Sequence, residues 1–255
     1  MDIKDRIAVV TGAAGGIGRA LALRLAAAGA KRVVCVDLDG DRAADTAREI
    51  GGISRRVDVS SEDEIRELIE FVESTEGPID LFCSNAGISV RGGPEVANDV
   101  WQRIWDINVM AHVFAARHLV PRMIERGGGY LLNTASAAGL LSQVGSAPYA
   151  VTKHAAVGLA EWLALTYGDQ GIKVSVLCPQ AVRTAMTKGK EGGVASIDGM
   201  MEPEPVAECC LKAIEEETFL VLPHPEVLDY MRRKTENYDR WIGGMRKLNR
   251  RYNPG

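Results

Sequence analysis

Tyr149 and Lys153 head the run Tyr-Ala-Val-Thr-Lys-His-Ala-Ala-Val-Gly-Leu-Ala-Glu-Trp-Leu-Ala-Leu, which has helix-forming composition and an apolar stripe through Val157, Leu159 and Leu163. At i and i+4, a phenol and an ammonium share one helical face. The positive charge favours phenolate over phenol and should bring a group with a free pKa of about 10 towards working pH. There it can exchange protons with an alcohol or a carbonyl. Such a pair alone is common surface decoration, so its weight comes from what surrounds it. Ser136 ends the strand-like segment 130–133 and precedes the tyrosine by 13 residues, and Asn108 lies in a helical stretch upstream. Ser136 could instead cap a helix, and Asn108 could equally serve a structural hydrogen bond.

The elements that must position these residues alternate along the chain. A short apolar strand, 6–10, runs into Thr-Gly-Ala-Ala-Gly-Gly-Ile-Gly at 11–18, and an alanine-rich helix, 19–28, stops at Gly29. Strand, glycine turn and helix N-terminus form an anion cradle: Gly12, Gly16 and Gly18 let the backbone approach a pyrophosphate, and the amides around Ile17 point towards it. The next strand, 32–36, ends in Asp37. About 20 residues beyond the glycines, an acid there accepts bonds from the adenosine ribose hydroxyls and repels a 2′-phosphate. Ala14 and Leu38 supply no cation for such a phosphate, so NAD is favoured over NADP, and Arg42 reads as an exposed helix residue.

Further on come helix 40–49, strand 53–57 with Asp58 and Val59, and a helix that Ser61 should cap, ending near Gly77. Strand 79–83 opens into Ser84, Asn85, Ala86 and Gly87. The stretch 96–126 is helical with an expected interruption before Pro121. Strands 130–133, 172–177 and 219–222 and a helix over 203–217 complete the series. Strands separated in this way predict an α/β, Rossmann-like, doubly wound fold: a seven-stranded parallel sheet with helices on both faces. Ligands of such sheets bind beyond the carboxyl ends of the strands.

With these motifs in place, residues 5–223 resemble the short-chain dehydrogenase/reductase family. The family's Thr-Gly-x-x-x-Gly-x-Gly appears as Thr11, Gly12, Gly16 and Gly18, its Asn-Ala-Gly at 85–87, and its proline followed by threonine as Pro179 and Thr184. The resemblance implies a catalytic set of Asn108, Ser136, Tyr149 and Lys153 and hydride transfer between nicotinamide and substrate carbon. Tyr149 would act as acid or base, and Lys153 would lower its pKa and bond the nicotinamide ribose. Ser136 would position the substrate oxygen, and Asn108 would hold a water linking Lys153 to solvent. Asp58, with Val59, is implied at the adenine, though Asp58 could cap the following helix instead, and Val182 and Thr184 are implied at the carboxamide. Gln180 stands where many members carry glycine, which predicts a bulkier cofactor-side wall. Homotetramers, or a homodimer, built on helices around 108–126 and 150–168 are also implied.

For the substrate, Ile88, Ala138, Leu140, Val144, Met186, Met200 and Met201 (with Pro179 and Val182) are the candidate lining, largely apolar. They suit a secondary alcohol or ketone with an apolar body. A 3-hydroxyacyl thioester is an alternative on the same scaffold, and a non-catalytic dinucleotide-binding regulatory protein is the alternative from another class. Arg91 and Lys188 are loop cations within reach of an anion but read as solvated. Residues 185–202, glycine-rich and following a strand end, are expected to form a substrate lid. Residues 225–255 form an amphipathic helical extension, with Leu228, Met231, Tyr238, Trp241, Ile242, Met245 and Leu248 on a broken stripe, expected to cover the lid or a neighbouring subunit.

Composition sets the outer limits. At 255 residues, 46% hydrophobic, the chain can bury one core and reads as a single domain, 1–255. A net charge of −4 carries no nucleic-acid footprint. No segment approaches the roughly 18 apolar residues of a membrane span, and a cytoplasmic protein is expected. The five cysteines form no Cys-x-x-Cys pair and the four histidines do not cluster, so buried thiols are expected and no metal.

Overall fold

The computed structural model describes residues 1–189 and 192–253; positions 190–191 of the expected lid and 254–255 of the extension lie outside the described residues. Apolar runs form the strands β1 (Ile7–Thr11), β2 (Arg32–Asp37), β3 (Ile53–Arg56), β4 (Leu81–Ser84), β5 (Gly129–Thr134), β6 (Ile172–Leu177) and β7 (Leu220–Val221). They pair in parallel in the order β3-β2-β1-β4-β5-β6-β7. Every residue of β1 and β4 is buried, as it must be in a sheet covered on both faces.

On one face α1 (Gly16–Ala27) packs beside α8 (Pro203–Glu216). Leu21 and Leu25 of α1 join Val206, Leu211 and Ile214 of α8 over Val10 and Cys35. Each such fully buried leucine stabilises the fold by about 1.5–3 kcal/mol. Helix α2 (Gly40–Glu49), between β2 and β3, adds Ala47 to this cluster. The other face is covered by α3 (Glu62–Thr75), α5 (Ala111–Glu125) and α7 (Ala147–Tyr167), preceded by α4 (Asn98–Trp105) and the single-turn α6 (Ala138–Leu141). Ser61 caps α3 as expected, accepting from the Glu64 amide. The sheet order turns about between β1 and β4, so the crevice beyond their carboxyl ends is the topological switch point.

The helical stretch before β5 departs from the sequence expectation. Pro121 lies inside α5 without interrupting it. It sits on the solvent face, and the carbonyl one turn back belongs to exposed Arg117, where water can satisfy it. The interruption falls earlier, at a π-helical turn over Asp106–Met110 that contains Asn108. Anchoring the Asn108 amide to the Ile88 main chain accompanies this widening of the helix, a device common at functional positions.

The extension forms α9 (Glu226–Glu236) and α10 (Tyr238–Tyr252). The stripe breaks at Asn237, which is extended and caps α10 by accepting the Arg240 amide at 2.9 Å. Fully buried Val227 packs with Ala137 and Leu141 of the α6 region, joined by Trp241. The extension therefore folds back onto its own chain. Among the described residues no helix is long and apolar enough to cross a membrane.

Candidate active site

The glycine turn is built for close approach. Gly12 and Gly16 hold positive φ angles, 71° and 53°, which a side chain would strain. A Cβ on Gly18 would stand 2.1 Å from the Gly12 carbonyl oxygen and 2.7 Å from the Asn85 amide nitrogen. Asn85 ties the strand ends together: its backbone and side-chain nitrogens donate to Thr11, and its Oδ1 accepts from Thr134 at 3.1 Å. Helix α1 starts with neither a side-chain cap nor an acid in its first turn, so its amides are open to an anion.

At the end of β2 the Asp37 carboxylate accepts from the Ala14 and Asp39 amides, both at 3.0 Å, and faces the same crevice. Leu38 points outward and is exposed. Arg42 differs from its expected place as a bystander: its guanidinium lies against Gly15, where a Cβ would meet Nη2 at 3.0 Å, and it lines the crevice. Asp58 and Val59 are not brought to the crevice lining. Asp58 is held by the Ser60 hydroxyl at 2.6 Å and the Ser60 amide, bonds that push its carboxyl below the usual range, while Val59 is buried in the core.

The proton-handling residues meet where β5 and α7 converge. Tyr149 lies in the first turn of α7 and lines the crevice, and one turn on, Lys153, 3% exposed, donates from Nζ to the Thr134 carbonyl at 3.0 Å. Burial pushes this ammonium down to about 8. Burial also pushes the Tyr149 phenol above its ordinary value, with a hydrogen bond to Ser136 pulling the other way. The expected lowering of the phenol by Lys153 is opposite to the direction that burial, the largest cause, imposes on it, and Nζ is 5.7 Å from the ring centroid. Ser136 Oγ accepts from the Ala138 amide at 3.1 Å, so the serine caps locally as well as facing the tyrosine.

Asn108 is fully buried and its side chain is spent on the protein. Oδ1 accepts from Ile88 N at 2.9 Å, and Nδ2 donates to Ile88 O and Thr152. It stands behind Gly87, where a Cβ would lie 3.2 Å from Asn108 Oδ1 and 3.4 Å from Lys153 Nζ. His112, one turn further along, is buried and pushed down to about 3, so it stays neutral and adds no charge beside Lys153.

A single cavity of about 1020 Å³ joins these parts, running from Gly12, Gly16, Ile17 and Asp37 past Asn85, Ala86 and Gly87 to Ser136, Tyr149 and Lys153. That volume lies at the upper end for a small-molecule pocket. Pro179, Val182 and Thr184 form its wall, with the Thr184 methyl packed over Gly16. Gln180 is indeed a bulky wall residue: its Nε2 donates to Asp198 of the expected lid at 2.9 Å. Asp198 also accepts from the Tyr230 hydroxyl of α9, at 2.9 Å, so lid and extension are latched together.

Of the expected substrate lining, Ala138, Val144 and Met186 reach the cavity and four residues do not. Ile88 is turned into the Asn108 anchor, and Leu140 packs into the core, giving its carbonyl to Lys234. Met201 pairs its backbone with Ala181 and Arg183 and packs on the α1–α8 side, while Met200 lines a separate small recess with Arg183 and Lys188. Their places are taken by α10, which presents Trp241, Met245, Leu248 and Tyr252. The i, i+4, i+7 spacing of the first three marks this face in the sequence, but periodicity alone does not say what it covers.

Known proteins share this construction. The family model described as short chain dehydrogenase matches residues 6–193. A 1-deoxy-11-beta-hydroxypentalenate dehydrogenase of Streptomyces exfoliatus is 41% identical over 198 residues, 74% of this chain and 72% of that protein. A cyclohexanol dehydrogenase of Acinetobacter is 30% identical over 236 residues, 88% of this chain and 94% of that protein. Among solved structures, a short chain dehydrogenase/reductase from Burkholderia phymatum in complex with NAD superposes with a TM-score of 0.84 at 29% identity, covering 94% of this chain and 96% of that one.

Proposed function

We propose that this chain, which belongs to the short-chain dehydrogenase family, is an NAD-dependent oxidoreductase that interconverts a secondary alcohol and a ketone with a largely apolar body. The observation that carries the proposal is the single cavity in which the glycine turn and Asp37 share walls with Ser136, Tyr149 and Lys153. The residues present fit a dinucleotide: the Gly12–Gly16–Gly18 backbone leaves room that any Cβ would fill, and the α1 amides are uncapped. Asp37 stands where ribose hydroxyls are bonded and a 2′-phosphate is repelled, which favours NAD. NAD supplies a hydride acceptor at the nicotinamide when bound.

Within that frame the roles of the chain's own groups follow from their surroundings. Tyr149, with its phenol pushed up, holds its proton at neutral pH and donates it to a carbonyl oxygen during reduction. In the opposite direction the phenolate takes the alcohol proton, stabilised by the nearby Lys153 ammonium. Ser136, which lines the cavity with the phenol, fixes the substrate oxygen beside it. Asn108 is a positioning residue, holding the Ile88 backbone and the Thr152 hydroxyl so that Gly87 can pass close to Lys153. Pro179, Val182 and Thr184 close the wall over the glycine turn.

An apolar substrate body is supported by Leu141, Val144, Met186, Trp241, Met245 and Leu248 around the far half of the cavity. The alcohols named for the relatives, cyclohexanol among them, agree with it. Assembly into a homotetramer or homodimer belongs to the same proposal: α7 leaves Trp162 and Leu165 54% and 86% exposed, an apolar face suited to a second copy. The test is nicotinamide absorbance during incubation with aliphatic, alicyclic, aromatic and steroid secondary alcohols and either NAD or NADP. Reduction of NAD by at least one alicyclic series is expected; no reduction of either nucleotide by any series would overturn the proposal.

A further inference from the structure

The part of the cavity lining contributed by the C-terminal extension carries an excess of positive charge. Arg233, at the end of α9, and Arg240, in the first turn of α10, both line it, and Arg91 lines it from the loop that runs beside Ser146. None of the three has a carboxylate partner among the described residues. Neighbouring charges, by contrast, are engaged: Asp198 is bonded to Gln180 and Tyr230, Lys234 to the Leu140 carbonyl, and Arg232 to Asp229. Arg233 instead lies 5.7 Å from the Tyr230 ring centroid, a contact that orders the side chain without neutralising it. Glu236 is the one acid that α9 and α10 bring to the lining, leaving an excess of positive charge beside the apolar side chains of Trp241, Met245 and Leu248.

An apolar cleft with uncompensated guanidinium groups at its mouth focuses field on whatever enters and pairs in forked geometry with a carboxylate or phosphate. We infer that the substrate is an alcohol or ketone whose apolar body ends in an anionic group, held by Arg233 and Arg240 of the C-terminal extension. This inference rests on the alcohol–ketone activity proposed above and adds a class of substrate to it. Arg91, across the opening, supplies attraction on entry. The same chemistry would serve a free carboxylate or the phosphates of a thioester carrier.

Two substrate series separate these cases: alicyclic secondary hydroxy acids beside their methyl esters, and 3-hydroxyacyl thioesters of coenzyme A beside the uncharged N-acetylcysteamine thioesters. NAD reduction by the full chain is compared with that of Arg233→Gln/Arg240→Gln, with Arg250→Gln as a control on the same helix outside the cavity. A charge-assisted pair is worth a factor of roughly ten or more. The charged member of one series should be preferred, mainly through KM, and the double variant should lose about tenfold of that preference while Arg250→Gln keeps it. Preference within the acid series assigns a carboxylate, and within the coenzyme A series a phosphate. Turnover of the neutral members with no preference for either anion, or a preference unchanged in the double variant, would overturn the inference and leave the alcohol–ketone activity standing. No NAD reduction by any member, alongside none in the wider alcohol panel, would overturn both.

Discussion

Replacing Lys153 by methionine should remove catalysis and, at neutral pH, stabilise the fold. The lysine is buried at 3% exposure and its ammonium is pushed from 10.5 down to about 8 by desolvation. That difference corresponds to roughly 3 kcal/mol spent on keeping the charge in the folded state. Methionine is of similar length and carries no charge, so this cost disappears. Against it stands the lost hydrogen bond to the Thr134 carbonyl, which would leave a buried acceptor unpaired at a cost of about 1–3 kcal/mol. The balance favours the variant by about 1 kcal/mol, a rise in Tm of about 2–4 °C for a chain of this size.

The pH dependence carries the sign. The unfolded chain binds more protons than the folded one between about 8 and 10.5, so wild-type stability gains with rising pH across that window. The variant's advantage is therefore full below pH 8, vanishes about one pH unit above it, and is fully reversed by about 10.5, where only the lost hydrogen bond remains. Urea midpoints of both proteins, measured from neutral pH upward, check this. A variant less stable than wild type at neutral pH, with a gap that does not vary with pH, would refute the reasoning that Lys153 is held against its own desolvation.

Other perturbations read the cofactor half of the cavity. Gly18→Ala places a Cβ 2.1 Å from a backbone oxygen that has no rotamer to retreat to, so the turn must shift. NADH binding measured by calorimetry should weaken about tenfold or more for an overpacking cost of about 1–3 kcal/mol, with far-ultraviolet circular dichroism retained. Asp37→Ser removes the acid that repels a 2′-phosphate and leaves the Arg42 guanidinium beside Gly15. The NADP-to-NAD ratio of kcat/KM should rise by about tenfold or more, and an unchanged ratio would show that neither residue reads that position.

The sheet and its glycine turn were legible because each strand is a short apolar run bounded by a polar or glycine signal, and because the positive φ of Gly12 and Gly16 and the approach of Gly18 to the Gly12 carbonyl are demands made within one βα unit. What escaped was set by partners distant in sequence. The π-turn at Asp106–Met110 exists with an Asn108 anchor to Ile88, while Pro121, the stronger local signal, proved harmless on a solvent face. Arg42 was placed against Gly15 by the packing of α2, whereas Asp58 was drawn to Ser60 by a local turn two residues long, the exception to that rule. The extension's stripe announced that α10 packs, but only the fold shows that Trp241 and Leu248 take the cavity positions expected of Met200 and Met201. For Tyr149 the i+4 spacing gives proximity to Lys153, whereas desolvation, which pushes the phenol up, depends on everything else around the ring.

The central claim is that the Tyr149 phenol handles the substrate proton in a cavity whose cofactor half stands independently of it. Tyr149→Phe keeps the ring and deletes the hydroxyl, so nicotinamide absorbance and NADH calorimetry on the same preparation test the claim together. Turnover should fall by about 10²–10⁴-fold while NADH affinity stays within a factor of a few. Turnover equal to wild type, with affinity intact, would contradict the account.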